Sequence, residues 1–327
     1  MNTNIFSVAA CVLLLVLSGP TEAEQKKQMP EIGYLSSVTP SGNLAYDEAF
    51  RHGLRDLGYI EGRNVTIEYR YAEGKLDRLP ELAAQLVHLK VDLIVAPYTP
   101  TAVTAQEATK TIPVVFAIVA DPLGVGLVAS LAHPGANLTG TTTLNAELAS
   151  KRLEILKEIV PKISRVAVLY NPTDQSNVVS LKEQQRLAAA LGLTVQPFGV
   201  SGPKDFDHVF SMLSGRVTDA IYVQAGSLTL THRSQIVDLV VKTRLPAMYG
   251  ESGFVEAGGL ISYAANFAER FYRVATYVDK ILRGANPADL PVEQPTKFEL
   301  IINLKTAKQI GLTIPPNVLA RADRVVK

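Results

Sequence analysis

Cysteine and tryptophan are almost missing from this chain of 327 residues, which has one Cys, Cys11, and no Trp. Cys11 lies in an apolar run, Ile5 to Leu17, followed by Ser18-Gly19-Pro20 and then Thr21-Glu22-Ala23. The run is too short to span a bilayer and ends on small residues, so residues 1–23 read as a secretory signal cleaved near Ala23. Met1 to Asn4 lacks the Lys or Arg usual before such a run. Residues 24–30 are polar and read as a flexible leader. Once Cys11 is removed, a disulfide, a thiol nucleophile and a thiolate metal site are all excluded. No later run approaches the ~18 apolar residues of a membrane helix, so no membrane insertion of the mature chain is expected.

Excess charge is lacking too. Lys and Arg number 32 against 31 Asp and Glu, a net charge of +1, which leaves no general electrostatic case for a nucleic-acid partner. The catalytic signatures are equally thin. His52, His88, His133, His208 and His232 are scattered, with no pair at i, i+4 and no metal site in view. There is no G-x-S-x-G elbow and no phosphate-cradling G-x-x-x-x-G-K-[ST]. Gly124 to Ala129 fits G-x-G-x-x-A, but the acid-ended strand a dinucleotide site needs is absent, so it reads as a Gly-containing turn entering a helix. No catalytic residues, metal or cofactor are expected.

What is present is an alternation of strands and helices. Ile32 to Leu35 reads as a buried strand, Tyr46 to Leu57 has helical apolar spacing, and Val65 to Tyr71 alternates as a strand. Leu76 to Leu89 is a second helix and Asp92 to Ala96 the next buried strand. The same order returns after residue 140, with Val166 to Leu169 matching the first strand and Asp219 to Val223 matching the third. Two similar α/β lobes with parallel sheets follow. Thr139 to Asn145 is small and polar and reads as the first crossover, before an amphipathic helix from Glu147 to Val160. A strand Leu260 to Tyr263, a helix Phe267 to Leu282 and a strand Phe298 to Asn303 have no counterpart in the first copy, and are placed as segments that recross the hinge. The lobes are assigned as 31–140 plus about 264–288, and 141–263 plus about 289–327.

Open parallel sheets bind ligands at the carboxyl ends of their strands. Polar residues gather there. In the first lobe they are Ser36 and Ser37, then Tyr98, Thr99 and Thr101, and Asp121; in the second, Asn171, Ser176 and Asn177, then Gln224 and Ser227, and Tyr249 with Glu251. Thr99 and Thr101 precede the helix Ala102 to Ala108, where hydroxyls and free amides can hold a carboxylate. Each of these residues is also an ordinary cap or turn former, and the case for a cleft rests on the set.

Four segments carry a family resemblance: IGYLSS, VAPYTPTAVTAQEATKTIPVVFAIVADPLGVGLVASLAHPGANLTG, VAVLYNP and LPVEQPTKFELIINLKTAKQIGLTIPP. They resemble the exported substrate-binding components of ABC importers, in the group named after tryptophan and tyrosine uptake, over nearly all of the mature chain. The resemblance implies a type I periplasmic binding-protein fold: α/β, with two Rossmann-like parallel-sheet lobes, a three-segment hinge and a cleft that closes on its ligand. It also implies contacts from Ser36, Ser37, Tyr98, Thr99, Thr101, Asp121 and the loop starting at Asn171. Where family members often have an Asp-Asn pair, this chain has Gln224-Ala225. An α-ammonium wants a carboxylate, so either Glu251 or Asp121 replaces the missing one or the ligand lacks the ammonium.

The expected function is capture of a small organic ligand, an aromatic amino acid or aromatic carboxylate, by a periplasmic monomer that delivers it to an ABC permease in the inner membrane. Tyr34, Tyr98, Tyr170, Tyr222 and Tyr249 are the candidate aromatic walls, at least two of them being core. The rivals are a sensory module presenting its ligand to a receptor, and an enzyme on the same scaffold.

Overall fold

The computed structural model describes residues 29–144, 148–215 and 218–327; the signal segment with Cys11, most of the leader, Asn145 and Glu147 lie outside them. The first sheet is built from β1 (Glu31–Ser36), β2 (Thr66–Tyr71), β3 (Leu93–Val95), β4 (Val114–Val119) and β5 (Leu138–Thr142). Its order is β2-β1-β3-β4-β5, parallel throughout. The second sheet takes β6 (Arg165–Tyr170), β7 (Thr194–Gly199), β8 (Ala220–Val223), β9 (Ala247–Tyr249), β10 (Ile261–Ala265), β11 (Phe298–Asn303) and β12 (Arg324–Val326). Here the order is β7-β6-β8-β9-β10-β11-β12, with only the β10–β11 pair antiparallel. The first five strands of that series repeat the first sheet's order, which is the internal repeat seen in the sequence. Both are doubly wound sheets whose order reverses beside the first strand, and a crevice opens at that switch point.

The helices that shape the crevice are α1 (Pro40–Asp56), α2 (Leu79–Leu89), α3 (Thr99–Ala108), α4 (Leu148–Ile159), α5 (Gln175–Ala188), α6 (Lys204–Ser214), α7 (Ser227–Thr231), α8 (Arg233–Thr243), α9 (Gly253–Glu256) and α10 (Phe267–Leu282). Local chemistry fixes their starts. Thr39 accepts from Gly42 N at 3.1 Å ahead of Pro40, and Asn266 accepts from Glu269 N at 3.0 Å; each satisfies one free amide of a first turn. α10 packs on α1, β4 and β5 although it follows β10 in the chain. Gly53 makes this possible, because a Cβ there would lie 2.6 Å from Tyr272 O of α10.

The chain passes between the sheets three times: after β5, between β10 and α10, and between α10 and β11. The third passage zips onto β5, with Thr142 N donating to Glu293 O at 2.9 Å and Glu293 N to Gly140 O at 3.0 Å. Two sequence expectations change. Thr139–Thr142, the first part of the stretch read as the first crossover, belongs to the fully buried strand β5, and the passage follows it. The glycines after β4 form a turn over Pro122–Gly126 that leads into no helix.

One apolar core runs on continuously from the face of the first sheet, with Tyr34, Phe50 and Phe271, to that of the second, with Phe206, Ile236 and Phe254. Two further cores cover the outer faces. The two halves are thus pressed together.

Candidate ligand cleft

Between the carboxyl ends of the two sheets lies a small cavity, partly open to solvent. Tyr98, Thr99, Pro100, Ile118 and Ala120 wall it from the first sheet; Asp174, Ser176, Ala225, Gly226, Ser227 and Leu230 wall it from the second, and Phe267 closes it at the second passage. Its polar groups come from the turns after β3, β6 and β8, where the switch points put them.

Each wall has a local origin. Tyr98 stands just ahead of α3; its backbone N donates to Thr101 Oγ1 at 3.0 Å, and the Thr101 hydroxyl donates back to Tyr98 O at 2.8 Å. Thr99 and Thr101 therefore sit inside the first turn of α3 and not before it. The Tyr98 ring is pinned behind the cavity. Its hydroxyl donates to Asn43 Oδ1, and Asn43 joins a buried cluster in which Asp47 accepts from Tyr34 at 2.5 Å and from Tyr71 at 2.8 Å. Burial pushes the Tyr98 hydroxyl well above its ordinary pKa, and it acts here as a neutral donor.

Asp174 is the acidic residue in the wall. It caps α5, with Oδ1 accepting from Ser176 N at 3.0 Å and from the Ser176 hydroxyl at 2.6 Å. Burial raises its pKa against the opposing pull of these hydrogen bonds. A carboxylate so placed, with no Lys, Arg or His in the wall, suits a cation on the ligand. Across from it, the first turn of α3 offers hydroxyls and amides.

The anticipated residues fall into three groups. Tyr98, Thr99, Ser176 and Ser227 line the cavity. Others stand directly behind it. Ser37 meets Ser227 at 2.6 Å between hydroxyl oxygens, Asn177 accepts from Asn171 N at 3.0 Å and donates to Ala225 O at 3.0 Å, and Gln224 donates to Gln184 at 3.0 Å. Ser36 and Thr101 are fully buried beside Ser37 and Tyr98. The remaining four are turned elsewhere. Asp121 holds its own turn through Gly124 N at 2.8 Å. Asn171 faces a separate groove with Glu73 and His232. Tyr249 stacks on Phe254 at 5.1 Å. Glu251 is fully buried, accepting from Tyr46, from Ser252 at 3.0 Å and from Gly253 N at 2.6 Å.

Among the other tyrosines, Tyr34 is core, Tyr222 accepts from Arg152 at 2.9 Å, and Tyr170 packs on the second core. The aromatic surface of the cavity is Tyr98 and Phe267. Sequence reasoning missed Asp174 and Phe267. Asp174 carried a signal, an acid two residues before Ser176 at the start of a helix that follows a buried strand. Phe267 carried none, being indistinguishable in sequence from any apolar first-turn residue.

The family described as ABC transporter substrate binding protein matches residues 31–326. A tyrosine-binding protein of Clostridioides difficile (strain R20291) is 28% identical over 295 residues, spanning 90% of this chain and 85% of that protein. The crystal structure of an ABC domain in complex with L-Trp, from Streptococcus pneumonia, is 29% identical with a TM-score of 0.83, covering 91% of this chain and 99% of that one. The ligand-free, open structure of a substrate binding protein with adhesive properties from Clostridium difficile is 28% identical with equal coverage, yet its TM-score is 0.64. At matched identity the chain is more similar to the complex than to the open form, in keeping with its pressed-together halves.

Proposed function

Because the chain belongs to the ABC transporter substrate-binding protein family, we propose that it is the exported solute-binding component of an importer and catalyses no reaction. Its ligand is an aromatic amino acid. The observation that carries this reading is the pairing, across one cavity, of the Asp174 carboxylate with the first turn of α3, the two partners a zwitterion requires. Ala225 stands where the resemblance leads one to expect a second polar side chain, and Asp174 supplies the missing acid. Tyr98 and Phe267 supply the aromatic surface of the wall, while Ser37, Asn177 and Gln224 hold it in place from behind.

In this reading the lobes divide at the three passages, and hinge opening separates the Tyr98–Ala120 wall from the Asp174–Ser227 wall. A ligand touching both walls has differential affinity for the closed state, which is what drives closure. The mature chain acts as a periplasmic monomer that docks on an inner-membrane permease. Among the described residues no helix is long and apolar enough to cross a membrane.

A thermal-shift panel of aromatic amino acids, branched amino acids, sugars and nucleosides tests the reading. A ligand at 100 times its dissociation constant adds about 2.7 kcal/mol of stability. Stabilisation by L-tyrosine or L-tryptophan is expected, and a response confined to sugars or nucleosides would overturn it.

A further inference from the structure

Two hydrogen bonds join the walls of the cleft, one of them, Tyr46 to Glu251, from side chains outside the cavity lining. Tyr46, on α1, donates its hydroxyl to Glu251 Oε1, which belongs to the turn after β9. The hydroxyls of Ser37, after β1, and Ser227, at the start of α7, lie 2.6 Å apart. Both pairs bridge the two sheets and all four side chains are buried. Glu251 is the unusual member. It has no exposed surface, three donors converge on Oε1, and Oε2 has no hydrogen-bond partner.

We infer that Tyr46 and Glu251 form a ligand-independent latch that sets the balance between the closed and open forms and ties it to proton binding. This rests on the hinged binding-protein reading above.

In the closed form Glu251 is out of water, and burial raises its pKa despite the hydrogen bonds from Tyr46, Gly253 and Ser252. The charged and titratable groups around it are Tyr46 from α1, Arg233 from α8 and Tyr98 from the turn before α3. Arg233 favours the ionised form, yet burial outweighs it. Opening removes Tyr46 and brings water to the carboxyl, so the burial that raises its pKa is relieved. The closed form therefore binds the proton more tightly. Closure is favoured fully below the open-form pKa, and that advantage is lost as pH rises through the raised closed-form value.

The experiment reads lobe separation directly and needs no ligand. Cys11→Ser leaves no other cysteine, so Glu107→Cys on α3 and Gln185→Cys on α5, both exposed, accept a dye pair for single-molecule energy transfer. The ligand-free closed fraction should rise as pH falls from 8 to 5. In an Asp174→Asn background, which removes the titrating group of the cleft wall, Glu251→Gln, which keeps the acceptor and loses the charge, should make the fraction independent of pH. Tyr46→Phe should lower the closed-to-open ratio roughly tenfold, the scale of one hydrogen bond to a charged group, and keep the pH response. Populations that shift with added L-tyrosine or L-tryptophan but ignore both substitutions overturn the latch alone. A single population, unmoved by pH, substitution and ligand, overturns the latch and the hinged reading together.

Discussion

The hydroxyl of Ser176 donates to Asp174 Oδ1 at 2.6 Å, in the wall of the cleft. The same oxygen accepts from Ser176 N, so one carboxylate both caps α5 and lines the cleft. Asp174→Asn preserves the shape and an oxygen for the cap, and removes the charge. Truncating one partner of a buried charged pair costs about 2–5 kcal/mol. Calorimetry should therefore show affinity for an aromatic amino acid falling by at least about 30-fold, with the melting temperature of the free protein nearly unchanged.

That carboxylate also predicts a pH dependence of its own sign. Burial raises the Asp174 pKa in the free protein, and a ligand ammonium would pull it down. Ligand binding then releases a proton where the free protein still holds one. Affinity should fall as pH drops through the raised value, opposite to the effect of Glu251. Measured in the Glu251→Gln background, titrations from pH 7 to pH 4 should weaken progressively, and adding Asp174→Asn should flatten them.

Gly140 is the backbone condition for β5. Its φ is +150°, and a Cβ would lie 2.0 Å from Phe116 O of β4. Both the strand pairing and the third passage, which meets Gly140 O, depend on that close approach. Gly140→Ala should destabilise the protein by several kcal/mol, in the exceptional range for single substitutions, and thermal unfolding would show a melting temperature lower by many degrees.

Arg152 faces inward from α4 and is fully buried. Its guanidinium donates to Tyr263 O at 2.7 Å, the Tyr222 hydroxyl at 2.9 Å and Gly250 O at 3.3 Å. Arg152→Met fills similar space and leaves those acceptors without this donor. A loss on the order of 3 kcal/mol is expected, visible as a lower urea midpoint at an unchanged m-value.

Glu293 anchors the third passage through a two-pronged pair with Arg273, at 2.7 and 2.8 Å. The guanidinium holds its carboxyl below the ordinary range. The stabilisation is therefore present above the unfolded-state pKa of ~4.3 and lost as pH falls through the lower folded-state value. The pair is partly exposed, so the loss is at most about 1 kcal/mol. Glu293→Gln should remove that portion of the acid transition in a pH series of denaturant melts.

Periodicity and strand alternation located most elements, because a two-fold strand repeat and a helical stripe are local signals. The bounds of α10 and β11 agree with that reading. β5 did not emerge, since Leu138-Thr139-Gly140-Thr141-Thr142 has the composition of a linker. It becomes a buried strand through Gly140 and through the Thr141 hydroxyl donating to Ala117 O, both of which depend on β4 already being there. At the site, the switch-point rule put Tyr98, Thr99, Ser176 and Ser227 in the cleft. It did not say which way Tyr249 and Glu251 turn, because facing inward to Phe254 or across to Tyr46 is decided by packing between elements far apart in the chain. Asp174 was passed over because a helix cap and a ligand carboxylate share one sequence signature.

The most direct test is calorimetric titration of residues 24–327 with L-tyrosine and L-tryptophan beside analogues lacking either the ammonium or the carboxylate. The account predicts that the intact amino acids bind and that each analogue is weaker by at least about tenfold, the scale of one charge-assisted contact. Analogues without the ammonium that bind as tightly as the parent would contradict the role given to Asp174, and with it the claim that this cleft recognises an amino acid.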